Sequence, residues 1–203
     1  MLSIAQSFAR YPHASASFDG FKDEKMIMRY IELSTSVMKV YCDIYSLDDH
    51  AYMMISNEST ITPIGQYVRL LWGFSFILGP WRMYKMMDHG TQIGDPQEVV
   101  LRKKKKRFIH IELLAIQQAF WGQGLMRQLI EYVKQMAKER DCLCIVETDE
   151  KVKMEKYIHL GFRLKKVRNL HDDMNLYDLY YDPTEDCDKL EQEERKNEQK
   201  RTQ

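Results

Sequence analysis

The stretch LLAIQQAFWGQGLMRQLIEYVKQMAKE, residues 113–139, changes its period half-way along. Its first residues finish the segment FIHIELLAI (108–116), which is apolar and β-rich, as a central strand should be. Past Gly122 and Gly124, Leu125, Leu129, Val133 and Met136 recur at helical spacing, flanked by Met126, Ile130 and Ala137. CLCIVET (142–148) follows as a second buried strand. Strand, helix and strand in that order make a βαβ unit, and its crossover should be right-handed.

The two glycines sit at the joint between the first strand and the helix. The opening turn of a helix leaves backbone N–H groups unpaired, and the helix dipole adds partial positive charge there. An anion placed at that end is stabilised, and glycines let it come close to the backbone. The same glycines also serve any tight strand-to-helix turn on conformational grounds alone. Local pattern leaves both readings open. Arg127 rules out a G-x-G-x-x-G fingerprint, and there is no Gly-Lys-Ser/Thr of a P-loop.

Working outward, 203 residues at 44% hydrophobic suffice for one domain with a real core. Thirty basic and thirty acidic side chains cancel, so the chain as a whole has no pull toward nucleic acid or an anionic membrane. Cys42, Cys142, Cys144 and Cys187 read as reduced thiols of a cytoplasmic protein, and the lone C-x-C pair is a poor zinc signal, so no metal is expected. The N-terminal MLSIAQSFARYPHASASF lacks the order of a signal peptide. In VRLLWGFSFILGPWRMYKMM (68–87) the apolar core is broken at Gly79-Pro80, short of the roughly 20 residues of a membrane span. A kinked buried helix is expected instead.

One long helix is expected over residues 23–46, from the spacing of Met26, Tyr30, Leu33, Val37, Val40 and Ile44. AYMMIS (51–56) reads as a strand, residues 63–89 as one or two helices and GTQIGDPQ as a loop. Thr148 or Asp149 is expected to cap the helix that ends at Gly161. FRLKKVRNL and NLYDLYYD read as strands about the turn HDDM, and residues 184–203 as a charged tail. RKKKKR (102–107) resembles a nuclear-localisation or nucleic-acid patch, but its simplest reading is a solvated loop before the strand. With a helix starting so near Met1, the sheet is expected to lack a first strand or to have it completed by a partner chain, as in a homodimer.

LLAIQQAFWGQGLMRQLI, then CLCIVETD, then KYIHLGF together resemble the GNAT superfamily of acyl-CoA-dependent N-acyltransferases. The family's glycine loop corresponds to Trp121-Gly122-Gln123-Gly124-Leu125-Met126, and its Tyr-x-x-x-Gly-Phe to Tyr157, Gly161 and Phe162. Trp121 stands where the family has Gln or Arg, and Met126 where it has a small residue. The resemblance implies an α/β (α+β) fold with a mixed, mostly antiparallel sheet, splayed between strands 108–116 and 142–148 to admit acetyl-CoA. The domain would span 1–183, with 57–107 a helical insertion shaping the acceptor site. The loop from Trp121 and Gly122 onward would hold the pyrophosphate through the amides of Gln123, Gly124, Leu125 and Met126. The segment Leu114, Ala115 and Ile116 would pair its backbone with the pantetheine arm. Tyr157 would protonate the departing thiolate, and His110 or Glu112 would take the proton of the amine. His110 and Glu112 share a strand face by alternation, so a simple mutual pairing is the competing reading. Tyr52, Met53, Met54, Tyr67, Trp72, Phe74, Phe76, Trp81 and Tyr84 are expected to be mostly core, with some members facing the acceptor. The implied reaction is acetyl transfer to a primary amine of a small molecule or peptide. The rival readings are a non-catalytic acyl-CoA sensor or protein-interaction module of the same fold, and a nucleic-acid-associated protein.

Overall fold

The structure is a computed structural model and describes residues 24–79, 81, 84, 94–171 and 174–185. Its elements run α1 (Glu24–Met38), β1 (Asp43–Leu47), β2 (Ala51–Asn57), α2 (Ile64–Leu78), α3 (Gln97–Lys103), β3 (Phe108–Ile116), α4 (Leu125–Glu139), β4 (Leu143–Thr148), α5 (Lys151–His159), β5 (Arg163–His171) and β6 (Met174–Tyr181). The strands form one sheet in the order β1-β2-β3-β4-β6-β5. Every neighbouring pair is antiparallel except β3 and β4, which the α4 crossover makes parallel.

That parallel seam is short. Phe108–Ile111 pair with Leu143–Val146, and from Glu112 onward β3 has no partner on the β4 side. Glu112 is also the extra residue of a β-bulge: Ile111 faces Ile55 and Leu113 faces Met54, with nothing opposite position 112. A bulge shifts the alternation of side chains by one. Ile109 and Ile111 lie in the main core beneath α4, and beyond the bulge Leu114 and Ile116 pack against that same core. His110 and Glu112 are turned to the opposite face, over which α3 lies. One inserted residue thus puts polar groups on one side of the parting and an apolar wall on the other.

The main core gathers Met53, Ile55, Ile109, Ile111, Leu129, Ile130, Val133, Cys144, Val146, Tyr157 and Phe162. In α4 the buried positions Leu129, Ile130, Val133, Met136 and Ala137 are those of the expected stripe. Cys42, Cys142 and Cys144 are free, buried thiols, and Cys187 lies outside the described residues.

The expected helix over 23–46 is overturned in its second half. It stops at Met38, and residues 43–47 are strand β1, hairpin partner of β2. The turn is built on Asp48 and Asp49, both at positive φ (47° and 55°), a conformation that Asp tolerates. Val40 and Ile44, counted into the helical stripe, are exposed. Tyr45 instead reaches the ring of Tyr132 on α4, with centroids 5.1 Å apart, so tertiary pairing overrode the local period. Six strands are thus present, one more than the reading expected from residues 24 to 185; what precedes Glu24 lies outside the described residues. The expected cap of α5 is also corrected: Glu150 holds the N-cap position and no side chain bonds there. Gly161 does follow the helix at φ 93°, as its C′ role requires.

The aromatic block departs from the core reading. Met53 and Met54 are buried and Phe74 stacks on Tyr30 at 4.4 Å. Tyr67, Trp72, Phe76, Trp81 and Tyr84 are exposed, Phe76 at 90%. The reason is that α2 packs chiefly on α1. At their crossing Gly73 leaves room for Leu33, whose Cδ2 would lie 2.2 Å from an added Cβ.

Candidate functional site

The parted strands and the glycine turn open onto one cavity of about 840 Å³. It is lined by Leu114, Ala115 and Ile116 of β3, by Trp121, Gly122, Gly124, Leu125 and Met126 of the turn, and by Tyr157 of α5. All the expected cofactor-side residues except Gln123 therefore border a single space. Gly122 and Gly124 have φ of 80° and 77°, in the region that only glycine enters without strain, and a side chain added to either would project into open space. Gly124 is the N-cap of α4, and the first helical bond runs from Gln128 N–H to the Gly124 carbonyl at 3.1 Å. The amides of residues 124–127 are therefore the donors that the helix itself does not use. Arg127, Lys153, Lys156 and His159 add cationic or protonatable groups to the lining.

The turn is tied down. Gln117 donates its N–H to the His50 carbonyl at 2.9 Å and its Nε2 to the Asp49 carbonyl at 2.8 Å. Phe120 stacks on His50 with centroids 3.6 Å apart. Trp121 donates Nε1–H to the carbonyl of Ile116 at 3.0 Å, closing the turn on the end of its own strand. Met126 is partly buried and packs against the main core.

Tyr157 is 5% exposed and meets Phe162 edge-on at 5.5 Å. Burial, and after it the neighbouring Cys144, hold its hydroxyl above the ordinary 10.0. It is a phenol, not a phenolate, at any physiological pH.

His110 and Glu112 do not line the cavity. They lie across the sheet, where they meet Glu98 of α3, a residue that the sequence reading did not single out. His110 Nδ1 is 3.2 Å from Glu112 Oε1 and 3.6 Å from Glu98 Oε2, though it makes no aligned hydrogen bond with either. Ser56 donates its hydroxyl to Glu112 Oε1 at 2.6 Å. Burial alone would lower the His110 pKa, but the two carboxylates outweigh it and push it from 6.5 up to about 10. For Glu112 burial raises the pKa, yet His110 and Ser56 win and leave it lowered. Among the described residues, Glu98, His110 and Glu112 are the group whose His, Cys, Asp or Glu ligand atoms gather closely enough for one metal ion, all within 4.8 Å of one another.

A second buried ionic group braces this face. Arg168 donates Nε–H and Nη2–H to Asp178 at 3.0 and 2.8 Å, and its Nη2 lies 2.9 Å from Glu147. Glu147 in turn accepts the Gln97 N–H at 3.0 Å, and Gln97 Nε2 donates to the Leu179 carbonyl at 3.2 Å. This clamps the start of α3, and so Glu98, onto β4 and β6. The basic run is partly spent on structure: Arg102 donates to the carbonyls of Asn57 and Glu58, and Arg107 faces Glu58 at 3.7 Å. Lys104, Lys105 and Lys106 are exposed, at the end of β3 away from the glycine turn. No helix among the described residues is long and apolar enough to cross a membrane.

Residues 79–162 match the model of the acetyltransferase (GNAT) family. The fold is that of arylalkylamine N-acetyltransferase 2 from Aedes aegypti, aligned over 89% of this chain and 91% of that one with a TM-score of 0.51 and 14% identity. Polyamine N-acetyltransferase of Drosophila melanogaster aligns over 80% and 81% at TM-score 0.43 and 11% identity. Nourseothricin acetyltransferase aligns over 37% of this chain and 49% of its own, at TM-score 0.34 and 17% identity, so the chain covers about half that protein's length. No curated protein sequence matches.

Proposed function

We propose, for a chain that carries a domain of the GNAT acetyltransferase family, that it moves an acetyl group from acetyl-CoA directly to a primary amine of a small molecule or peptide. One observation carries this: residues 124–127 of the glycine turn, the end of β3 that has no partner on the β4 side and Tyr157 all line one cavity, at the point where the sheet parts. A cavity of about 840 Å³ with an anion-binding turn at one end and a strand edge along one wall fits a long phosphorylated thioester.

Bound acetyl-CoA would supply the activated acyl carbonyl and a thiolate leaving group. The amides of residues 124–127 bind its pyrophosphate, and the backbone of Leu114, Ala115 and Ile116 lines up its arm. Tyr157, kept protonated by burial, offers its proton to the departing sulfur. On the other face Glu112, the first residue past the parting, faces the amine as it arrives. His110 already holds a proton at neutral pH and accepts none; Glu112 steadies the ammonium, and the surplus proton leaves through water. His110 becomes a base only as pH nears 10.

An acyl-CoA sensor of the same fold is the second reading, favoured by Trp121. Its indole already occupies the Ile116 carbonyl that the arm would approach. Thermal melts separate the cases. Acetyl-CoA and CoA should each raise the melting temperature, since a ligand that binds only the folded state stabilises it. No rise with either sinks both readings. A rise without CoA release across a broad panel of amines leaves the sensor.

A further inference from the structure

The trio Glu98, His110 and Glu112 plays no part in holding the cofactor, yet two strand positions and a helix converge on it. We propose that these three side chains bind one first-row divalent metal ion of the zinc class, on the acceptor side of the parting. Held there, the ion excludes the incoming amine. That second clause rests on the function proposed above, whereas the binding site does not.

The spacing carries the argument. Zinc holds nitrogen and oxygen ligands at about 2.0–2.2 Å, so two ligands of one tetrahedral ion lie roughly 3.4 Å apart. His110 Nδ1 stands 3.2 Å from Glu112 Oε1 and 3.6 Å from Glu98 Oε2, on either side of that figure. All three ligand atoms lie within 4.8 Å of one another, so that a movement of Glu98 completes the set. An ammonium ion fits less well. Its hydrogen bonds run about 2.8 Å, which sets two acceptors of the same ion roughly 4.6 Å apart. The metal-free ion pair is a loose one, since charge-assisted N–H···O bonds are about 2.7–2.9 Å and aligned, and a metal ion binds by displacing the Nδ1 proton. Nδ1 is fully enclosed and has no aligned hydrogen-bond partner, although its ring is only 8% exposed as a residue and sits between two carboxylates. The nitrogen stands between two carboxylates, where a small cation can take the place of its proton.

The surroundings are those of a supported site. Ser56 orients the Glu112 carboxylate through its 2.6 Å bond, and Arg102 lies 3.9 Å from Glu98 one turn along α3. His110 and Glu112 are fixed by the β2–β3 ladder and its bulge, and α3 is pinned at Gln97. One imidazole and two carboxylates suit zinc, cobalt or manganese, and leave an open position for water. Glu98, partly exposed, is the ligand free to close in.

The test uses the full chain stripped with chelator, without acetyl-CoA. Calorimetric titration with Zn²⁺ should give one ion per chain, and Co²⁺ should give the visible absorption of a low-coordinate site. His110→Ala and Glu98→Gln should each weaken binding by about tenfold or more. Glu98→Gln should keep the wild-type melting shift with acetyl-CoA, which shows that the fold is intact. No stoichiometric binding overturns the site, and so does binding that both variants leave unchanged, since the ion then sits elsewhere. In the transfer assay Zn²⁺ should raise KM for the amine and leave KM for acetyl-CoA unaltered. A rise in the acetyl-CoA value instead overturns the exclusion of the amine. Should the chain transfer no acetyl group, the calorimetry still decides the metal site by itself.

Discussion

At the scale of single residues, what could be read in advance was what carries its own signal. Gly122, Gly124 and Tyr157 each belong to a local pattern, and the structure brings all three to one cavity. Glu98 and Arg168 were invisible because their meaning lies in partners far along the chain: Glu98 meets His110, and Arg168 meets Asp178 and Glu147. Tyr157 gives a first prediction. Tyr157→Phe should lower kcat by roughly 100-fold, within the usual range for losing a proton donor, with KM for acetyl-CoA changed less than about twofold. Steady-state kinetics reads both, and an unchanged kcat removes Tyr157 from the acid role. Because its hydroxyl titrates above 10, no alkaline loss from Tyr157 should appear below that pH. His110 gives a second. Its folded pKa lies above 6.5, so its stabilisation is complete below 6.5 and fades as pH rises through about 10. Glu112 is shifted the other way, so its share is present above the ordinary 4.5 and fades as pH falls through its lowered value. Metal-free chain should therefore lose melting temperature steadily from about pH 7 to 10. In His110→Gln that slope should flatten; an equal slope in both would show that His110 is not its source.

At the scale of elements, α4 was legible and the N-terminal part was not. The buried face of α4 is set by a stripe that nothing nearby contradicts, and the glycines before it admit one backbone course. In residues 38–47 the helical spacing was real but lost to pairing with Ala51–Asn57, a competitor that no window along one segment contains. The same logic explains the bulge at Glu112, which shows only when β2 is laid beside β3. Gly124 tests how much the strand-to-helix turn depends on its conformation. At φ 77° an alanine is strained by about 1–2 kcal/mol. Gly124→Ala should thus lower the melting temperature and also weaken acetyl-CoA binding, since a strained turn no longer presents its amides in the same directions. Loss of stability with affinity intact would mean that the turn is architectural only.

For the whole molecule, the mixed, mostly antiparallel sheet and the parting of β3 from β4 were legible through resemblance, whereas the exposure of α2 was not. An apolar segment is expected to be buried, but burial needs a neighbour, and α2 has chiefly α1. Since Phe76 is 90% exposed, Phe76→Ser should shift unfolding free energy by no more than about 0.5 kcal/mol in a denaturant titration. A much larger loss would mean that this face is covered in solution. The seam between β3 and β4 has a further consequence, for folding. It divides the sheet into β1-β2-β3 and β4-β6-β5, and each trio is drawn from its own half of the described chain. β2 meets β3 across 52–65 residues, a longer closure than the 35 residues between paired positions of β3 and β4. The seam can therefore form before the β1-β2 hairpin docks on β3. Along the seam itself only four residue pairs meet, and the α4 crossover and α3, which touches β3 through Glu98 and is held to β4 and β6 through Gln97, bridge its two sides. By chain entropy the cleft at the seam takes shape before the hairpin completes the sheet beside it.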